Sequence, residues 1–219
     1  MKMLQKMKYL FNEGLPITFI VFYCVGLVLY FMPSTHNLFI LITPYTLVLV
    51  TGAIFLHHKE WSVKTIVVLV SIFIISIIIE IIGVATGKLF GVYEYGKGLG
   101  VKIADVPIVI GLNWVFLVYA SNSIISKYTS KSIPIIVGSA SLMVLYDILL
   151  EKVAPLMDMW LFFKNDAPVS NYVAWFLMAL FFNWAIQQSN INTLNKPARW
   201  LFFIQFGFFI IIAIHNELL

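Results

Sequence analysis

The chain has 219 residues, of which 61% are hydrophobic and 11% charged. Soluble domains hold roughly 45–50% apolar and about 25% charged residues, so this composition excludes an ordinary water-soluble domain and makes lipid the main solvent. The formal charge of +4 does not point to nucleic acid, because the 14 Lys and Arg residues are scattered and suit the loops of a membrane protein.

A bilayer core roughly 30 Å thick requires about 20 predominantly apolar residues per spanning helix. Taken in chain order, the segments Pro16 to Met32, Leu38 to Leu56, Val63 to Ala85, Val106 to Ile124, Ile133 to Leu156, Asn171 to Gln188 and Ala198 to His215 meet this requirement. They predict an all-α fold, a polytopic membrane bundle of about seven transmembrane helices, with residues 1–219 forming one integral membrane domain. The first span follows Lys2, Lys6 and Lys8 as a secretory signal would, but no small-residue cleavage site follows Met32, so it reads as a retained anchor helix. Cys24 is the one cysteine and permits no intrachain disulfide.

Assigning the connections alternately to two sides groups Lys2, Lys6, Lys8, Lys59, Lys64, Lys127, Lys131, Lys196 and Arg199 against Lys88, Lys97, Lys102 and Lys164. The excess predicts a cytoplasmic N-terminus and an outward C-terminus in the cell membrane. Trp61, Trp184, Trp200, Tyr9 and Tyr128 fall near helix ends and read as interfacial anchors. The longest connection, Thr86 to Asp105, is rich in glycine and tyrosine and lies on the outward side, where a long loop often shapes a pocket.

Ionisable residues inside a bilayer cost roughly 2.5–3.5 kcal/mol each, which makes them functional candidates. Glu80, Asp147, Glu151 and Lys152 stand in this position. At 1.5 Å per residue Glu80 lies ~25 Å along the third span, and Asp147 and Glu151 lie ~21 and ~27 Å along the fifth, so all three acids share one level. Asp147 and Glu151 are one helical turn apart, where like charges repel and one of the pair tends to keep its proton. The competing reading is structural, an ion pair with Lys152 or hydrogen bonds that lock helices together.

Beyond Glu80 come Gly83, Thr86, Gly87, Phe90, Gly91, Tyr93, Glu94 and Tyr95, which alone also fit close helix packing followed by an aromatic belt. Asn113 and Trp114 enter the fourth span ~10 Å below its start, and Asn171, Tyr172 and Trp175 begin the sixth, both from the same side. Four helices therefore direct polar and aromatic groups to one level. His36, His57, His58 and His215 show no metal-ligand spacing, so neither a metal nor another cofactor is expected.

The string from Glu80 through Gly83, Gly87, Phe90, Gly91, Tyr93 and Tyr95, followed by Leu99-Gly100, Val106-Pro107 and Asn113-Trp114, resembles the carotenoid biosynthesis membrane family of carotenoid hydratases. A second block, Tyr146-Asp147, Glu151, Val153-Ala154, Trp160, Pro168, Asn171-Tyr172 and Trp175-Phe176, agrees in the same order, and the resemblance covers Glu80 to Phe176. The chain departs from the family at Lys152, where a proline would follow the glutamate, and at Phe162, where a second indole would follow Trp160. The resemblance implies a γ-carotene, lycopene or bisanhydrobacterioruberin substrate and addition of water across the terminal double bond of an acyclic end.

That chemistry requires a proton on the less substituted carbon, a tertiary cation at its neighbour, and water delivered to the cation. Asp147 is expected to donate the proton, with Glu80 across the pocket and Glu151 as the neighbour that holds the proton in place. Tyr93, Tyr95, Trp114, Trp160 and Trp175 are candidates for binding the chain and facing the cation, and Asn113 and Asn171 for holding the water. Hydration changes no net oxidation level and needs no redox cofactor. A carotenoid cyclase or isomerase would use the same acids, and a proton-coupled or lipid transporter would also carry intramembrane carboxyl groups.

Overall fold

The computed structural model describes residues 14–164 and 166–219, so the expectations placed on Lys2, Lys6, Lys8 and Tyr9 lie outside the described residues. Among the described residues there are seven α-helices: α1 (Leu15–Phe31), α2 (His36–Phe55), α3 (Val63–Thr86), α4 (Val109–Ile125), α5 (Ser132–Val153), α6 (Val169–Gln188) and α7 (Lys196–His215). Of these, α2, α3, α5, α6 and α7 are long and apolar enough to cross a membrane, and α1 and α4 are apolar helices of 17 residues each. The protein is a multi-pass membrane helical bundle.

The helix ends follow local chemistry. Ser62 begins α3 by accepting a hydrogen bond from the Thr65 amide at 3.1 Å, and Gly87 ends it in the left-handed conformation at φ +62°. Asn195 caps α7 through the Ala198 amide at 3.0 Å, with Pro197 in the first turn, where its missing amide hydrogen costs nothing. Pro155 follows the end of α5 and opens a single 3-10 turn, Pro155–Met157, so the fifth span is shorter than the apolar run to Leu156 suggests.

Helix α4 is the hub and packs against α2, α3, α5, α6 and α7. It is buried along nearly its whole length, Trp114 through Ala120 included, so its polar residues face protein rather than lipid. Its start also differs from the sequence expectation. Val106 and Pro107 form strand β3, paired with β2 (Lys102–Ile103) around a turn in which Ala104 and Asp105 both have positive φ. The helix begins at Val109, and Asn113 therefore lies only ~6 Å into it.

A second small ladder pairs β1 (Tyr93–Tyr95) with β4 (Trp160–Phe162), antiparallel, with Tyr93 opposite Phe162 and Tyr95 opposite Trp160. Side chains alternate across a strand, so this register turns Tyr93, Tyr95, Trp160 and Phe162 inward and leaves Glu94 and Leu161 exposed. The ladder fixes the loop after α3 to the loop after α5. Its continuation is held by the Gly96 amide on the Met159 carbonyl at 2.8 Å and the Lys97 amide on Asp158 at 3.1 Å.

The opposite end of the bundle is tied by a buried polar network. Asn122 on α4 donates to Asn183 on α6 and accepts from Ser126, Gln187 and Thr193. Asn195 donates to the Ile54 carbonyl at 2.8 Å, and Tyr119 contacts His58 at 2.8 Å. Trp61, Trp184, Trp200 and Tyr128 lie exposed near this end, as interfacial anchors would.

Candidate active site

Helices α3 and α5 carry the acidic residues to the ladder end of the bundle, where α4, α6 and the β1–β4 ladder supply their hydrogen-bond donors. Glu80, on the last two turns of α3, is buried and accepts hydrogen bonds from Tyr93 at 2.6 Å and Tyr95 at 2.9 Å on one oxygen and from the Trp114 indole at 3.2 Å on the other. Burial, and after it the neighbouring Glu80 charge, push the phenols of Tyr93 and Tyr95 well above the usual tyrosine range, so both remain protonated donors.

On the facing side, α5 presents Asp147 and Glu151 one turn apart. The Asn171 side-chain nitrogen, from the start of α6, donates to both, at 3.1 Å to Asp147 Oδ2 and 3.1 Å to Glu151 Oε1. Trp160 donates to the second Glu151 oxygen at 2.8 Å. Asp147 is fully buried, and its Oδ1 has no hydrogen-bond partner among the described residues.

Between these groups is a small pocket, whose walls include Glu80, Tyr93, Tyr95, Trp114, Glu151, Trp160, Asn171 and Trp175. Trp114 and Trp175 stack at 4.1 Å, and Tyr95 meets Trp160 edge to face at 6.0 Å. Asn113 completes the wall, and its amide makes no hydrogen bond among the described residues. Asp147 does not line this pocket; it lies one turn of α5 behind Glu151 and reaches it through Asn171.

The pocket adjoins a larger apolar cleft that shares Ile110, Asn113 and Trp160 with it and extends between α1, α2, α5 and α7 past Phe39, Leu47, Leu150 and Phe208. A small polar chamber at the end of a long apolar cleft suits a ligand that is hydrocarbon along its length and reacts at its end.

Two sequence readings change. Lys152 is not an intramembrane partner of the acids: it is half exposed and pairs with Asp166 at 3.3 Å, because position 152 is turned away from the face that carries 147 and 151. The Asn171 nitrogen is engaged by two carboxyl groups, which makes Asn113 the freer of the two amides. Phe90 and Phe162 also line the pocket. Only the pairing of strands separated by more than sixty residues places Phe162 there, beside Tyr93 at 5.2 Å. Among the described residues, no group of three His, Cys, Asp or Glu side chains is arranged to hold a metal ion.

No curated protein and no solved structure matches the chain. The family model of carotenoid biosynthesis proteins matches residues 38–218, a stretch that holds the acids, the ladder and six of the seven helices. The chain belongs to the carotenoid biosynthesis protein family.

Proposed function

We propose that this protein is a carotenoid hydratase that adds water to the terminal double bond of an acyclic carotenoid end, in the lycopene or γ-carotene class. The observation that carries the reading is the opposition of Glu80 and Glu151 across one aromatic-walled pocket that continues into an apolar cleft.

The hydrogen-bond inventory divides the acids into two roles. Three donors converge on Glu80, as suits an acceptor carboxylate, and its Oε1, with one donor, retains room for another. Asp147 and Glu151 share the Asn171 amide donor, and the nearest lysine in sequence, Lys152, pairs with Asp166 instead of with them. Two adjacent carboxyl groups without a cation hold a proton between them. Glu151, on the pocket wall, delivers that proton to the less substituted alkene carbon, and Asp147 behind it is the second member of the proton-sharing pair.

The π electrons of the alkene form the new C–H bond and leave a tertiary cation at the neighbouring carbon. The faces of Trp114 and Trp175 and the rings of Tyr93 and Tyr95 stabilise it through their quadrupoles. Water bound between Glu80 Oε1 and the Asn113 amide attacks the cation, and its proton passes to Glu80. The cycle closes when that proton returns through water to the Asp147–Glu151 pair, so atoms and charge balance with no external reductant or oxidant.

Production of the protein in a lycopene-accumulating host, followed by mass analysis of the pigments, tests the reading. A hydratase yields a carotenoid heavier by one water per modified end. A product of unchanged mass indicates cyclisation or isomerisation, and ion-dependent uptake without chemical conversion indicates transport.

A further inference from the structure

The apolar cleft is closed on every side but one. Its lining residues on α4, α5, α7 and the connections after α3 and α5 are all buried, and every lining residue that is exposed or half-buried belongs to α1 or α2. Phe22 and Val25 of α1 are 37% and 52% exposed, and Thr43 and Thr46 of α2 are half-buried. At the ladder end Leu99, Met157, Met159 and Trp160 form a buried roof. At the other end Tyr23, Tyr146 and Gln205 form a buried floor. The two hydroxyls and the amide oxygen of that floor have no hydrogen-bond partner among the described residues, so a hydrocarbon gains nothing by running deeper.

The cleft is also too short for the chain it serves. Along α2 it runs from Phe39 to Leu47, which is ~12 Å of helix. A carotenoid is about as long as the roughly 30 Å hydrocarbon core of a bilayer, so with one end in the acid pocket part of the chain remains outside the protein. The open side between α1 and α2 is where it can leave. Pro44 lies within α2 at this level and leaves the Ile40 carbonyl without its usual helical donor, which gives the helix a point of bending beside the gap.

We propose that the gap between α1 and α2 is a lateral portal, through which an acyclic polyene enters the cleft end first from the ladder-side leaflet while the rest of the chain stays in lipid. Phe22 and Val25 form one lip, and Thr43 and Thr46 the other. The proposal rests on the hydratase reading for its occupant and goes beyond it in giving the route. Continuity with the acid pocket through Ile110, Asn113 and Trp160 singles out the reacting chain, whereas a phospholipid acyl chain offers the acids nothing to act on.

Val25 and Thr43 stand at one level, ~10 Å along their helices from the turn that connects α1 to α2. In a Cys24→Ser background, the pair Val25→Cys and Thr43→Cys is bridged with a cleavable bismaleimide in the full chain in liposomes. Uptake of lycopene is read by quenching of tryptophan fluorescence, since Trp160 lines the cleft. Bridging is expected to slow uptake at least ~10-fold, and cleavage of the bridge to restore it. Gly26→Leu needs no bridge and decides the question alone should the cysteine pair fail to fold. A Cβ at Gly26 meets only Phe208, at 3.4 Å, so the larger side chain is accommodated, occupies the lip and slows uptake in the same way. Uptake at the wild-type rate in the bridged protein or in Gly26→Leu, or quenching by a brominated phospholipid that lycopene does not displace, overturns the portal and leaves the hydratase reading standing. Slowed uptake in these proteins, with no hydrated product from the wild type, supports the portal and overturns the hydratase reading.

Discussion

Tyr93 donates a 2.6 Å hydrogen bond to Glu80 and so joins the β1–β4 ladder to the last turns of α3. The bond has two effects. It holds one oxygen of the Glu80 carboxyl on the pocket wall, and it ties strand β1 to a buried acid of α3.

Glu80→Gln keeps the size of the side chain but replaces an acceptor oxygen by an amide that donates, which opposes the Tyr93, Tyr95 and Trp114 donors. Conversion of an acyclic carotene in isolated membranes is expected to fall at least ~10²-fold, the lower range for loss of an acid or base. Tyr93→Phe removes one of three hydrogen bonds and is expected to cost less, about 10-fold. Equal effects would mean that Glu80 serves the ladder rather than the reaction.

On the opposite wall the order of effects follows the layering of the acids. Glu151→Gln is expected to abolish conversion to the same ~10²-fold extent. Asp147→Asn retains partial turnover, because Glu151 still faces the pocket. Lys152→Ala removes an exposed ion pair with Asp166 and leaves turnover within about twofold. Rates measured on the three variants at matched expression check the order, and loss of activity in Lys152→Ala would restore that cation to the site.

The ladder end also depends on a tight backbone approach. Gly91 has φ +97°, and a Cβ there would stand 2.6 Å from Pro168 Cγ, so Gly91→Ala is strained by conformation and by contact. Such strain costs on the order of 1–3 kcal/mol. Thermal unfolding in detergent is expected to show a lowered midpoint, with conversion reduced in parallel because the strands carrying Tyr93 and Phe162 must shift.

The helices were legible because each is a long apolar run, and the seven spans agree with the sequence reading to within a few residues at most ends. The acids were legible because charge is costly in lipid. The ladders were not. Their strands are two or three residues long, β1 pairs with a strand more than sixty residues away, and no local periodicity marks either. The same non-local pairing assigns Trp160 to Glu151. Tyr23 and Gln205 escaped notice for a different reason: uncharged polar residues in apolar helices are common, and only the packing shows that their polar atoms lack partners.

For topology, we propose that the ladder end faces outward. Lys97 and Lys164 are exposed at that end, and Lys127 and Lys131 are exposed in the turn between α4 and α5. In a Cys24→Ser background, Lys97→Cys and Lys164→Cys are expected to react with an impermeant thiol reagent on intact cells, and Lys127→Cys and Lys131→Cys to react only after lysis. The reverse pattern inverts the orientation.

The most direct measurement of the central claim is conversion of an acyclic carotene by the purified protein in liposomes prepared in ¹⁸O-labelled water, with the pigment analysed by mass. One labelled oxygen and two added hydrogens per hydrated end are expected, with the yield lost in both Glu80→Gln and Glu151→Gln. An unlabelled product of unchanged mass, or labelling that persists in both variants, would contradict it.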